Sequence, residues 1–253
     1  KHKAVWYNMR VKEKIEVINA AELDYRALNE RIRQCGSARI NACLGQRFIA
    51  SGMRAGEIEI HGTPGNALGA YLAGASITVY GNAQDAVGDT MNDGRIIVHG
   101  GIGDAAGYAM RGGEIIVRGD AGYRVGIHMK EYREKCPAIV IGGVCGSFLG
   151  EYQAGGRIVV LGLDRGQRPI VGNFPCTGMH GGKMLLRGDA SDIRFPLGVS
   201  ASAASEKDMS EIMPLLRMFS ESFDRPLDEI LAPGFTVVTP NSSNPYKQMY
   251  VAN

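Results

Sequence analysis

A glycine repeat of short period is the strongest constraint on what this chain can fold into. Seven strand-like runs each end in glycine: Glu57–Gly62, Ser76–Gly81, Arg95–Gly100, Glu114–Gly119, Pro137–Gly142, Arg157–Gly162 and Lys183–Gly188. The terminal glycines at 62, 81, 100 and 119 are spaced by 19 residues; the later intervals are 23, 20 and 26. A second glycine recurs inside the unit (Gly69, Gly88, Gly107, Gly126, Gly150), and a third opens the strand (Gly56, Gly74, Gly94, Gly113, Gly156, Gly182). This explains a composition of 35 glycines in 253 residues, about twice the usual ~7%. A unit this short has no room for a helix pair or a propeller blade. It suits one coil of a parallel β-helix, with glycine at sharp turns that need φ > 0. Each coil buries its apolar face only by stacking on its neighbours.

Period-2 alternation assigns the faces. Two residues before the terminal glycine stand Ile60, Val79, Val98, Val117, Val140, Val160 and Leu186; four before stand Ile58, Ile77, Ile96, Ile115, Ala138, Ile158 and Met184. Both columns are apolar throughout and are expected to point inward. The intervening outward column reads Glu59, Thr78, Ile97, Ile116, Ile139, Val159 and Leu185. It turns aliphatic from the third coil onward. An aligned aliphatic stripe needs a cover, supplied either by a partner protein or by the chain's own C-terminal segment. Ile97, Ile116, Ile139, Val159 and Leu185 are therefore the candidate partner-contact residues.

The flanks lack the repeat. Asn19-x-x-Glu22 has the form of a capping box, and Ala20 to Gln34 reads as a helix stopped by Gly36. Ser37 to Gly45 reads as an irregular first coil. Ser205 to Phe223 reads as one helix, or as two broken near Pro214. From Gly234 the chain is expected to run extended over a surface. The organisation is thus an N-terminal segment with a capping helix (1–36), a β-helix (37–190), and a C-terminal helical segment with an extended tail (191–253). The predicted fold class is all-β dominated: a right-handed, single-stranded parallel β-helix of about seven coils with helical flanks.

Little in the residues points to chemistry. The 28 Lys+Arg against 26 Asp+Glu give a net charge of +2, with no basic run for nucleic acid. No apolar stretch reaches the ~20 residues of a membrane span, and no signal peptide is legible at the start, so a cytoplasmic location is expected. The five cysteines (Cys35, Cys43, Cys136, Cys145, Cys176) form no C-x-x-C pair and read as reduced thiols. Gly101-Ile-Gly103-Asp-Ala-Ala-Gly107 mimics a dinucleotide loop, but its third glycine is one residue late and belongs to the repeat. His61 and His99 share an outward column two coils, ~10 Å, apart, too far for a shared metal without further ligands, and read as solvated. His128 and His180 sit singly in turn arcs. Cys145-Gly-Ser147 has no recognisable base beside it. Asp85, Asp89, Asp93 and Asp104 fall in turns, where local hydrogen bonds favour aspartate. No catalytic, cofactor-binding or metal-binding residue is assigned.

The coils also resemble a known family. Asp85-Ala-Val-Gly-Asp-Thr-Met-Asn-Asp-Gly94, Asp104-Ala-Ala-Gly-Tyr-Ala-Met-Arg-Gly-Gly113 and Gly155-Gly-Arg-Ile-Val-Val-Leu-Gly162 are similar to the GXGXG β-helix domain of the glutamate synthase large subunit, over roughly 37–190. Val171–Gly182 and the Asn244–Tyr250 tail are similar to its stand-alone, split-subunit form. The resemblance implies a scaffold role in glutamine-dependent reductive amination of 2-oxoglutarate. Catalysis, FMN and an iron-sulfur cluster would lie on partner chains, one glutaminase-like and one FMN-binding, with no cofactor on this chain. No nucleic-acid or membrane partner is implied, and self-association is left open. The same coil occurs in the corresponding subunits of N-methylglutamate synthase and formylmethanofuran dehydrogenase, which are the alternatives. A free-standing β-helix enzyme with a coil-side cleft is the reading from another class.

Overall fold

The computed structural model describes residues 15–242. The repeat runs form seven strands: β3 (Glu57–Thr63), β4 (Ala73–Tyr80), β5 (Asp93–Val98), β6 (Glu114–Val117), β7 (Ala138–Ile141), β8 (Ala154–Val160) and β9 (Gly181–Arg187). Two more lie below them, β1 (Glu16–Asn19) and β2 (Ala38–Leu44), so Ser37 to Gly45 does hold a coil, ahead of the seven repeat coils counted from β3, and β1 adds a further rung. Parallel pairing runs without a break from β1 to β9, making a parallel β-solenoid somewhat longer than the expected seven coils.

The inward columns fill the solenoid. Ile58, Ile77, Ile96, Ile115, Ile158 and Met184 stack with Ile60, Val79, Val98, Val117, Val160 and Leu186 in one continuous core. Each such side chain contributes about 1.5–3 kcal/mol over leaving it in water. The second glycine of each coil faces this stack from across the interior. A Cβ on Gly107, at φ +67°, would sit 2.4 Å from Ile139 Cδ1, and one on Gly126 would sit 2.4 Å from Ile158 Cδ1. Glycine is required there by both the turn and the space.

Coil five corrects the face assignment. Ile139 pairs with Ile115 below and Ile158 above, so it points inward, whereas Ala138 and Val140 lie on the outer face. The cause is the double glycine Gly142-Gly143. The coil boundary falls at Gly143, whose N–H donates to the Gly119 carbonyl at 2.9 Å, not at Gly142. A slip of one residue exchanges the two faces of a strand.

At the N-terminal flank, Asn19 caps only a 3-10 turn, Ala20–Glu22. The helix proper, α1 (Tyr25–Cys35), starts later, where the Asp24 carboxylate accepts from the N–H groups of Arg26 and Ala27. It ends as expected at Gly36, φ +74°, and its Leu28 and Ile32 join the solenoid core.

At the C-terminal flank the chain first forms β10 (Val199–Ala203), then α2 (Glu206–Phe223), α3 (Leu227–Leu231) and β11 (Phe235–Pro240). The expected surface run from Gly234 is corrected. β11 enters the sheet antiparallel between β9 and β10, with Val238 fully buried. The Asn244–Tyr250 segment lies outside the described residues. α2 is one helix despite Pro214, because that proline is on the exposed face, as is Ser210, whose carbonyl it leaves without an intrahelical donor. Ser205 and Asp208 close a capping box at its start.

α2 and α3 are the cover that the aliphatic stripe requires. Ile116, Val140, Val159 and Leu185, all fully buried, pack with Ile212, Leu215, Leu216, Phe219, Phe223 and Ile230, and Ile97 lies at the margin. Ile116, Val159 and Leu185 are thus covered within the chain and are not open to a partner; Ile139 is in the interior, and Ile97 is only partly covered. The lid is pinned at both ends by polar contacts. Lys183 Nζ donates to Asp208 (2.7 Å) and Glu211 (3.0 Å), and Arg157 pairs with Glu211 at 3.2 Å. Arg187 donates to the last-turn carbonyls of Glu229 and Ile230.

Candidate functional site: a groove at the seam of solenoid and lid

The groove lies where the end of α2 meets the rim of coils three to five. β5 and β6 end at Val98 and Val117, so the next residues, His99 and Arg118, project at the edge of the sheet. The glycines that follow, Gly100, Gly101, Gly119 and Gly143, leave a floor without side chains. They are glycines because successive coils approach closely here: a Cβ on Gly143 would meet Asp120 Oδ1 at 2.0 Å, and one on Gly119 the Gly100 carbonyl at 2.9 Å. Across the floor stand Leu163, Asp164 and Arg168 from the loop after β8, and Arg225 from the α2–α3 turn. Together they enclose a hollow of about 280 Å3. A second hollow of about 570 Å3 shares His99, Arg118 and Arg225 and extends along Glu221 to Pro226.

Two of the three arginines are held. Arg168 Nη1 donates to Asp120 at 2.6 Å, and Arg225 pairs with Asp164. Arg118 is exposed and makes no ion pair or side-chain hydrogen bond among the described residues. Arg168 holds the Asp120 carboxyl below the usual range despite its partial burial, which acts the other way. His99 is held below the usual histidine range, first by burial and then by the charge of Arg118.

His61 and His99 are not simply solvated, as the sequence suggests. With Tyr80 they form a ring ladder up the coil edge: His61–Tyr80 at 4.7 Å and Tyr80–His99 at 4.9 Å, both stacked. Phe223 of the lid closes the ladder edge-on against His99 at 5.1 Å. The parallel register fixes this spacing, since in-register strands lie ~4.8 Å apart. His128 lies in a similar stack on Tyr152 at 5.1 Å, and His180 contacts the Gly178 carbonyl.

The other candidates separate. Cys145 is buried, and burial pushes its thiol far above the ordinary range; Ser147 Oγ accepts the N–H of Asn173 in the next coil. Cys176 is pushed up to about 12 and Cys43 to about 11, both by burial. A thiol so shifted is a poor nucleophile at neutral pH. Among the described residues no three His, Cys, Asp or Glu side chains are placed to hold a metal ion. The turn aspartates split. Asp89 and Asp93 bond locally, to Thr90 and Gly94. Asp85 and Asp104 reach across coils instead, accepting the N–H of Asp104 (2.9 Å) and Tyr123 (2.8 Å). This ladder was hidden in the sequence because its partners lie one coil, 19 residues, away. A hollow of about 460 Å3 near Asp93, Arg95, Glu114, Lys135 and Cys136 is charged, but its ions are matched, Asp93 with Lys135 and Arg95 with Glu114.

Fold and groove together define a class: parallel β-solenoids with a glycine at every turn and a helical lid over one sheet face. The chain belongs to the GXGXG motif family, whose model matches residues 7–235. The uncharacterized protein MJ1350 of Methanocaldococcus jannaschii is 41% identical over 249 residues, spanning 92% of this chain and 95% of that protein. Among solved structures, a chain of the formyltransferase/hydrolase complex (FhcABCD) from Methylorubrum extorquens, in complex with methylofuran, is similar with a TM-score of 0.58 and 19% identity. The match covers 87% of this chain and 89% of that one. At that identity the likeness is one of fold. No helix among the described residues is long and apolar enough to cross a membrane.

Proposed function

We propose that this chain is a non-catalytic scaffold subunit of a multi-chain oxidoreductase of the glutamate synthase type. Glutamine hydrolysis and reductive amination of 2-oxoglutarate would belong to glutaminase-like and FMN-binding partners, which would also carry the iron-sulfur cluster. The observation that carries this reading is a GXGXG match over nearly the whole chain. It accompanies a solenoid whose interior is packed solid with aliphatic side chains. Such a rod is stiff along its axis, because each rung is hydrogen-bonded to the next, and it offers long sides against which catalytic domains can be positioned. Burial of Cys43, Cys145 and Cys176 fits the same reading.

A second reading has a specific observation in its favour. The structural neighbour comes from a formyltransferase/hydrolase complex, so the partners of this chain could instead be of the formylmethanofuran dehydrogenase kind. Affinity purification of the tagged chain from its native cells, with mass spectrometry of what remains bound, separates the two. Recovery of glutaminase-like and FMN-binding chains supports the first; recovery of formyltransferase/hydrolase chains transfers the role to the second. A chain that purifies alone and turns over a substrate by itself refutes the scaffold reading.

A further inference from the structure

The seam groove has chemistry that a scaffold role leaves unused. From the convergence of Arg118, Arg168 and Arg225 over a glycine floor, we propose that the inner hollow binds a small oxyanion, a phosphate or a carboxylate. Three guanidinium groups line this hollow against two carboxylates, Asp120 and Asp164. Those carboxylates are already engaged, one with Arg168 and one with Arg225. Each pair therefore orients its guanidinium, and the charge left over is that of Arg118. An arginine fork matches the planar oxygens of a carboxylate or phosphate, and an arginine held in place beforehand loses less freedom on binding.

The surroundings select where the anion goes. The outer hollow adds Glu221 and Asp224, which repel an anion from the lid side and direct it to the glycine floor. On the floor, Asp120 Oδ1 and the carbonyls of the neighbouring coil lie against the glycines, so the anion would sit above them, toward the guanidinium groups. His99 lines the wall, and burial and then the charge of Arg118 favour its neutral form. A volume of about 280 Å3 lies just below the range of drug-sized ligands, ≈ 300–1,000 Å3, and suits a small ion or a terminal phosphate. Bound there, the anion would contact both the solenoid rim (Arg118) and the lid turn (Arg225), and so would tie the two together.

The test is isothermal titration of the full chain with inorganic phosphate and, separately, with succinate, at constant ionic strength. Saturable one-to-one binding of at least one of them is expected. Arg118→Gln should weaken it about tenfold or more, the loss of one charge-assisted contact in a partly enclosed site, with Arg118→Lys in between. Arg118 is exposed, so an unchanged melting temperature without ligand confirms that the variant folds. Arg217→Gln, the same charge change at an exposed position of α2 outside the groove, should bind like the parent. No saturable binding of either anion up to about 10 mM, the weak end of specific recognition, overturns the proposal. Equal weakening by Arg118→Gln and Arg217→Gln overturns it as well, because the effect would then be one of net charge. None of these outcomes bears on which partner chains co-purify.

Discussion

Substituting Gly107 by alanine tests the solenoid interior at one atom. Gly107 has φ +67°, and the added methyl would lie 2.4 Å from Ile139 Cδ1 and 3.7 Å from Met110 Sδ. Two costs follow. The left-handed backbone costs a non-glycine residue roughly 1–2 kcal/mol, which the fold accepts at Ala105 and Ala109 on either side. The overlap is the larger matter. Ile139 is fully buried and stacked between Ile115 and Ile158, and overpacking of this kind costs about 1–3 kcal/mol. Gly107→Ala should therefore destabilise by about 2–5 kcal/mol. Ile139→Val removes the atom in conflict and by itself should cost about 0.5–1.5 kcal/mol. In the double variant the overlap is gone, so the combined loss should fall short of the sum by about 1–3 kcal/mol. Urea denaturation of the four proteins, read by circular dichroism, gives the cycle. Additive losses would show that Ile139 does not face Gly107, and the inward placement of coil five would be wrong.

Ile116→Asp places a carboxylate under Phe219 and Leu216, and an unpaired buried charge costs about 3–5 kcal/mol; limited proteolysis should then cleave within 205–231, while an intact lid with parental stability would contradict its docking there. The Asp208 carboxyl is held down to about 2, first by the hydrogen bond from Lys183 and then by Ser205. Its folded pKa lies below the unfolded value, so the stabilisation is complete above the ordinary aspartate pKa of about 3.9 and is lost as pH falls toward 2. Asp208→Asn should flatten the stability–pH curve in that window, and an unchanged slope would remove the role assigned to this ion pair. Cys43, Cys145 and Cys176 should resist iodoacetamide at pH 8 in the native protein and react in urea, as read by mass spectrometry; native labelling of Cys145 would contradict its burial. Arg95→Ala, which breaks a half-exposed pair with Glu114, should shift stability by no more than about 1 kcal/mol, against about 2–5 for Ile96→Ala next to it; equal losses would reverse the faces of β5.

The rungs and most of the faces are legible in the residues alone. Glycine every 19 residues and aliphatics two and four places before it can be satisfied together only by stacked coils, because the first demands a turn and the second a shared interior. The need for a cover is legible there too, since a polar column ending at Thr78 and an aliphatic one beginning at Ile97 cannot both face water. What covered it was decided by the tertiary structure. The amphipathic face of 206–223 matches the stripe in length and apolar character, and joining them closes a core that neither closes alone. The same level decided coil five. Gly142 and Gly143 are equivalent as letters, and only the hydrogen bond from Gly143 to Gly119 shows which one ends the strand. Asp85 and Asp104 escape the local turn rules, which Asp89 and Asp93 follow, because the N–H groups they accept lie one coil away. The groove was beyond the sequence altogether. Arg118, Arg168 and Arg225 stand far apart in the chain, and they meet only because a helix folded back over a sheet sets its last turn beside the rim of a coil made a hundred residues earlier.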